Sequence, residues 1–353
     1  MQAIRVHPPE SETEPPFSAA NPAPSAALVL DTIPIPTLDK PGQLLIRVHA
    51  TSVTRAELTW PETYSTDLPL LGHDLAGTVV EVQDDPGTNE NRTDSDLKPG
   101  DEVYGMLDMS KGSTWAEFAI AWTDQVALKP KLLSWAESAA VPVSALTAWQ
   151  ALFVKAGVTP PDFSSITRTE SRTMDQGESA RKIAVTGANG AVGTYLVQLA
   201  ALAGMHVVAV SSSKTRDEEF LKSLGATGVL QYEDLYHVNN QYDIIIDAVG
   251  GEILKRCWSS VKDDGILISI ESSSSDFVRN HREETFTHDK QGVRALFFIV
   301  EPSRKNLEQL SVALDRGLLD VYVAHEMPLH EARAAYELAN GRLQRRGKVV
   351  LTL

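Results

Sequence analysis

Residues 182–204 read KIAVTGANGAVGTYLVQLAALAG, and three patterns meet in them. The apolar run Lys182–Thr186 reads as a buried strand. Gly187, Gly190 and Gly193 follow at Gly-x-x-Gly-x-x-Gly spacing, and Val192, Leu196, Leu199 and Ala203 then recur at helical spacing. That recurrence predicts a helix with one apolar face on a sheet. Glycines at a strand-to-helix turn let the backbone approach a pyrophosphate, and the unpaired N–H groups at the helix start face its oxygens. The expectation is a dinucleotide site formed by Gly187, Asn189, Gly190, Ala191, Val192 and Gly193. The bland alternative is a tight turn with no ligand. A second strand-like run at 206–210, one helix later, favours the dinucleotide.

The end of that second strand selects among dinucleotides. An acidic side chain there accepts hydrogen bonds from the ribose 2′-hydroxyl of NAD and repels the 2′-phosphate of NADP. Here the chain runs Ser211-Ser212-Ser213-Lys214-Thr215-Arg216, hydroxyls and two cations that suit a phosphate dianion. NADPH is the expected cofactor, with Ser211, Ser212 and Lys214 at its 2′-phosphate. The competing reading is a solvated basic helix start, which is less comfortable because a cation at a helix N-terminus opposes the helix dipole.

Further strand-like runs at 228–230, 243–247, 265–270 and 293–299 alternate with helical patterns, which implies an α/β module with a parallel, doubly wound sheet. The first 150 residues differ: short strands at 43–50, 77–82, 101–105 and 115–121 make a β-rich module. Segments 8–27 and 84–98 interrupt it and read as surface loops, and 157–181, with Pro160 and Pro161, reads as a long exposed loop between the modules. The tail beyond 301 carries helical patterns and the strand-like run 348–353, expected to return to the first module. A length of 353 residues suits two domains.

The charge sum narrows the partners. With 32 Lys and Arg against 47 Asp and Glu the net charge is −15, and an acidic body repels phosphate backbones and anionic lipid surfaces. Neither a nucleic acid nor a membrane is an expected partner; a small-molecule substrate is. Residues 195–210 are the most apolar long stretch, yet they contain Gln198 and His206 and are too short to span a bilayer. A single cysteine, Cys257, excludes any intramolecular disulfide and any cysteine-rich zinc site, and points to a reducing compartment. Residues 1–30 show neither an apolar signal core nor an Arg-rich transit pattern, so a cytoplasmic location is expected and the sequon at Asn91 carries no meaning.

With these residues in view, the sequence resembles the medium-chain dehydrogenase/reductase superfamily, in its zinc-independent quinone oxidoreductase and enoyl reductase branch. Ordered landmarks carry the resemblance: LGHDLAGTVVEV (71–82), KPGDEVYG (98–105), VPVSALTAWQALF (141–153), VTGANGAVGTYLVQLA (185–200), LKSLGATGVLQY (221–232), DIIIDAVGG (243–251) and GKVVL (347–351). The resemblance implies a GroES-like β-rich catalytic domain over 1–148, a Rossmann domain that binds NADPH over 149–300, and a return to the catalytic domain over 301–353. It also implies an active site in the cleft between them. By position, Tyr232 resembles the tyrosine beside the adenosine 2′-phosphate and Thr147 the threonine beside the nicotinamide. Val249, Gly250, Phe298 and Ile299 fall in segments that line the nicotinamide ribose and ring, and Lys348 resembles a cofactor-contacting lysine. Plain core packing is the open alternative for Thr147, Phe298, Ile299 and Lys348.

Zinc-dependent members of that superfamily hold their metal with thiolates and histidine. His73 keeps the position of a ligand histidine without its partners, which predicts a hydrogen-bonded structural residue and no metal. Without a Lewis acid to polarise an alcohol or ketone oxygen, hydride must go to an acceptor activated by its own conjugation: an enone, an enoyl thioester or a quinone. The resemblance offers Tyr64 as a proton donor or carbonyl holder, with an aromatic pocket wall shared with Trp60 as its alternative. Arg55 and Glu57 are open between surface and substrate-orienting roles.

A short-chain dehydrogenase would need Tyr-x-x-x-Lys, and no tyrosine here has a lysine four residues on. Two alternatives stay open: a biosynthetic enoyl reductase with one natural substrate, and a non-enzymatic NADPH-binding protein of the same fold. The apolar run 293–299 would form an exposed sheet edge, and pairing it with its twin predicts a homodimer.

Overall fold

The computed structural model describes all residues except 10, 12, 84–96, 110–112, 168–179 and 282–289. The chain divides into two compact units: Met1–Leu146 with Glu301–Asp315 and Asp320–Leu353, and Thr147–Val300 with Arg316–Leu319.

In the first unit, β1 (Gln2–Val6) and β2 (Leu28–Thr32) pair antiparallel. A larger sheet is built on β3 (Gln43–Ser52), which pairs antiparallel with β4 (Asp74–Val82). β5 (Glu102–Met106) follows β4 in the sheet; β6 (Phe118–Trp122) lies on β3 and β7 (Val126–Leu128) on β5. Alternation does the folding: Leu44, Ile46 and Val48 of β3 turn to the same core as Leu75 and Val79 of β4 and Val103 of β5. Short helix α1 (Trp135–Ala139) opens on a capping box in which Ser134 and Glu137 satisfy each other's backbone N–H groups. The division between the units falls within α2 (Pro142–Trp149), which continues as a wider turn over Gln150–Lys155.

The second unit is an all-parallel sheet of β8 (Lys182–Thr186), β9 (His206–Ser211), β10 (Gly228–Gln231), β11 (Tyr242–Asp247), β12 (Val261–Ser269) and β13 (Arg294–Phe297). Its order is β10-β9-β8-β11-β12-β13, so the chain reverses direction across the sheet between β8 and β11. In such sheets ligands bind beyond the carboxyl ends of the strands at that reversal. Helices α3 (Ala191–Leu202), α4 (Lys214–Ser223), α5 (Gly251–Ser260) and α6 (Ser275–Asn280) connect or follow the strands.

α7 (Arg304–Asp315) belongs to the first unit, where the Tyr104 hydroxyl of β5 donates to Leu307 O at 2.7 Å. β14 (Val323–Pro328), α8 (Ala332–Asn340) and β15 (Lys348–Thr352) complete that unit. β15 pairs antiparallel with β3 through Val350 and Ser52.

Four expectations change. α3 is not one-faced: every residue from Gly193 to Leu202 is buried, and Gln198 satisfies its buried amide by donating to Thr194 O at 3.1 Å. That all-round burial explains why 195–210 is the most apolar long stretch, and no helix among the described residues is long and apolar enough to cross a membrane. Segment 8–27 is not wholly a surface loop, because Ala23, Ala27 and Phe17 pack with Leu58, Leu71 and Trp115. Of the long loop 157–181, residues 168–179 lie outside the described residues, while Phe163 and Ile166 are buried. The loop at 84–98 falls outside them except for 97 and 98, and Leu97 is buried.

Candidate functional site

At the end of β8 the chain turns through Gly187 at φ +62, a left-handed conformation that favours glycine. Gly193 answers to space: a Cβ there would stand 2.2 Å from Gly187 O, so only glycine lets the first turn of α3 lie flat on the loop. The first N–H groups of a helix have no partner within it, and the N-cap Gly190 supplies no side-chain acceptor. The donors at Ala191, Val192 and Gly193 and the positive end of α3 thus sit at the carboxyl edge of the sheet.

Neighbouring strand ends converge on this turn. Ala188 N donates to Val210 O of β9 at 3.2 Å, and Lys214 N donates to Gln231 Oε1 at the end of β10 at 3.3 Å. Tyr232 follows β10; it is partly buried, its hydroxyl meets the Gly187 backbone, and burial holds the phenol above its usual pKa. Ser212 and Lys214 are exposed. Ser211 departs from expectation: it is fully buried and its Oγ accepts from Ser213 N at 3.3 Å, so it braces the loop.

Two carboxylates organise these ends, and sequence reasoning missed both. Asp247, ending β11, is fully buried and accepts from Thr186 Oγ1 at 2.5 Å, Gly250 N at 2.9 Å, Ser269 Oγ at 3.2 Å and Val249 N at 3.3 Å. It ties β8, β11 and β12 together and fixes Val249 and Gly250, with Val249 against the Gly187 turn. Burial pushes its pKa up against the pull of these bonds. Asp217, on α4, is 1% exposed and accepts from Arg216 and from Asn189 Nδ2 of the glycine turn. The available signal was a carboxylate ending the apolar run IIID, which needs partners when buried.

The other predicted residues belong to other elements. Thr147 is buried on α2. Phe298 and Ile299 follow β13; the Lys155 ammonium lies 5.3 Å from the Phe298 ring, and Ile299 is exposed. Lys348, on β15 in the first unit, is a correction. It is buried with its ammonium 2.5 Å from Asp74 Oδ2, so its charge balances a buried carboxylate within that unit.

Tyr64 is the second correction. Its one hydroxyl proton goes to Leu58 O at 2.5 Å, and its oxygen accepts from Ala23 N at 2.9 Å. With its donor on Leu58 O and its acceptor on Ala23 N, the phenol tethers segment 8–27, where a donor free for a substrate was expected. Glu57 is buried, not on the surface. Its Oε1 accepts from Gly72 N at 2.6 Å and lies 3.4 Å from His73 Nε2, with the Trp60 ring 5.8 Å from the His73 ring. Burial pulls the His73 pKa down, but Glu57, Asp74 and the Asp108 backbone together outweigh it and leave the imidazole above its usual value. The exposed Arg55 reaches Asn340 O at 3.4 Å. Of the loops expected around the substrate, 110–112 and 282–289 lie outside the described residues.

A chain with one unit built on a parallel sheet that carries a glycine turn at its reversal, and another built on an antiparallel sheet, has a two-unit dehydrogenase-type fold. The alcohol dehydrogenase GroES-like domain family matches residues 40–131, and the zinc-binding dehydrogenase family matches 224–351. "Probable zinc-binding oxidoreductase, mitochondrial" from Arthroderma benhamiae is 33% identical over 93% of this chain and 94% of its own. "Chloroplast envelope quinone oxidoreductase homolog" from Arabidopsis thaliana is 29% identical over 86% and 88%. The solved structure of the quinone oxidoreductase from Coxiella burnetii superposes with a TM-score of 0.77 at 24% identity, covering 100% of this chain and 99% of the other. The chain belongs to the medium-chain dehydrogenase/reductase superfamily and is an oxidoreductase.

Some names in this family include zinc, and the residues here do not fit a thiolate-held ion. Cys257 is fully buried on α5 beside Leu254 and Trp258, and burial keeps its thiol protonated. Among the described residues no three His, Cys, Asp or Glu side chains are placed to hold a metal.

Proposed function

We propose that the chain is an NADPH-dependent reductase that acts on an enone or enoyl double bond or on a quinone. The observation that carries this reading is the end of β9, where Ser212 and Lys214 stand exposed and no acidic side chain presents itself to a ribose hydroxyl. The uncapped start of α3 and the Gly187–Gly193 cradle fit a pyrophosphate, with Tyr232 at the neighbouring strand end. Asn189, Gly190, Ala191, Val192 and Gly193 would hold the phosphates; Val249 and Gly250, fixed by Asp247, would face the nicotinamide half. Thr147, Phe298 and Ile299 remain proposed for the nicotinamide side.

When bound, NADPH supplies a hydride. A conjugated acceptor suits a chain whose residues do not assemble a thiolate-held zinc, because hydride at the β-carbon moves charge onto an oxygen that a hydrogen-bond donor can stabilise. The test is NADPH oxidation, followed by its absorbance, with 1,2-naphthoquinone, trans-2-enals and enoyl thioesters as separate acceptors. Turnover with at least one is expected. Tight NADPH binding with no turnover on any of the three would favour a non-enzymatic nucleotide-binding role. The same reading includes a homodimer joined through β13, a cytoplasmic location and a small-molecule substrate as the only other partner.

A further inference from the structure

We infer that Asp217 is a positioning residue that sets the choice of nucleotide: it holds the Arg216 guanidinium beside Ser212, where Arg216 serves the adenosine 2′-phosphate as its charge partner. This rests on the NADPH reading above and adds to it the residue that aims the cation.

The geometry begins with an expensive group. Asp217 is 1% exposed, and a buried carboxylate needs charged or hydrogen-bonding partners. Arg216 Nε donates to Oδ1 at 3.0 Å and Nη2 to Oδ2 at 2.9 Å, the two-pronged pairing that fixes a guanidinium in plane and direction. Neighbours in sequence do not face each other on a helix, so Arg216 must fold back across the first turn of α4 to make this pair. The same Nη2 lies 3.3 Å from Ser212 Oγ. The Arg216 side chain is nevertheless 43% exposed, so its charge is presented to solvent from a fixed position.

The carboxylate also reaches the pyrophosphate turn. Asn189 Nδ2 donates to Asp217 Oδ2 at 3.0 Å, and Tyr232 is close enough to feel the charges of both Asp217 and Arg216. One buried side chain thus links the first turn of α4 to the glycine turn and, through Arg216, reaches the loop after β9. Asp217 is not the acid that reads a ribose in NAD-specific sites. Both its oxygens are already engaged, it is closed off from solvent, and it lies within the first turn of α4 instead of at the strand end. A cation near a helix N-terminus is disfavoured by the helix dipole, and Asp217 in that same turn offsets the cost.

The experiment is calorimetric titration of the full chain with two probes that differ only in the phosphate at issue, 2′,5′-ADP and 5′-AMP. Wild type is expected to prefer 2′,5′-ADP; no preference would overturn the NADPH reading and this inference with it. Asp217→Asn, close in shape, is expected to weaken 2′,5′-ADP by about tenfold or more while changing 5′-AMP by less than about threefold. Arg216→Lys, which keeps the charge and loses the fork, is expected to show a smaller loss confined to 2′,5′-ADP. Asp217→Asn made in an Arg216→Gln background is expected to add little, because the two act as one unit.

If wild type prefers 2′,5′-ADP and neither single variant alters that preference, the NADPH reading stands and the inference fails. A larger loss on 5′-AMP would make Asp217 a ribose ligand. Equal losses on both probes would make it only a brace for the glycine turn, and either result overturns the proposal. Thermal melting of each variant separates these outcomes from unfolding.

Discussion

Tyr64 shows how a residue's role depends on where its proton goes. Its position along the chain suggested acid catalysis, yet its hydroxyl joins Leu58 O and Ala23 N and so fastens segment 8–27 to the core of the first unit. Tyr64→Phe is therefore expected to lower stability by about 1–2 kcal/mol, for one lost hydrogen bond and one N–H left without its acceptor. Denaturant titration measures this, and steady-state turnover in the same variant should stay near wild type. A large fall in turnover with unchanged stability would restore the catalytic role. Lys348 follows the same logic: a lysine at a suggestive position is consumed by Asp74, a partner far away in sequence.

Among the elements, the β8–α3 turn was the most legible from sequence, because the steric demand on its glycines is local. A Cβ at Gly193 would meet Gly187 O at 2.2 Å and Ala188 Cα at 2.7 Å, both backbone atoms that cannot swing aside. Gly193→Ala is expected to lift the start of α3 off the turn and cost about 1–3 kcal/mol, as overpacked sites do. It should also weaken binding of both 5′-AMP and NADPH, since the displaced N–H groups serve the phosphates common to them. Calorimetry on the variant checks this; wild-type affinity would show that the phosphates lie elsewhere. The helix itself was less legible. Its buried outer faces, with Gln198 bonded to Thr194 O, depend on what packs around it and not on its own period.

For the whole molecule, the open edge of the parallel sheet carries the remaining prediction. β13 is the last strand in the order β10-β9-β8-β11-β12-β13; Leu296 and Phe297 on it are half-buried, and Ile299 just beyond is 53% exposed. An apolar strand edge left open invites pairing, and two-fold pairing with a second copy closes it. Light scattering at micromolar concentration is expected to report twice the 38.5 kDa of one chain, and Leu296→Glu should shift the mass toward the monomer. A wild-type monomer under those conditions would refute the dimer.

The sequence by itself determined what short-range sterics and periodicity encode: the alternation in β3 and β4, the parallel strands 182–186 to 293–299, the glycine turn, and the lack of an acid at the end of β9. It also determined that a single cysteine excludes a cysteine-rich zinc site. Only the tertiary structure decided which polar groups meet. Asp247 gathers three strand ends, Asp217 joins α4 to the glycine turn, Asp74 takes the charge of Lys348, and Glu57 lies buried beside His73. The reason is physical. A buried charge must find its partner wherever the fold places one, and such a partner can be a neighbour in sequence, as Arg216 is, or 274 residues away, as Lys348 is from Asp74.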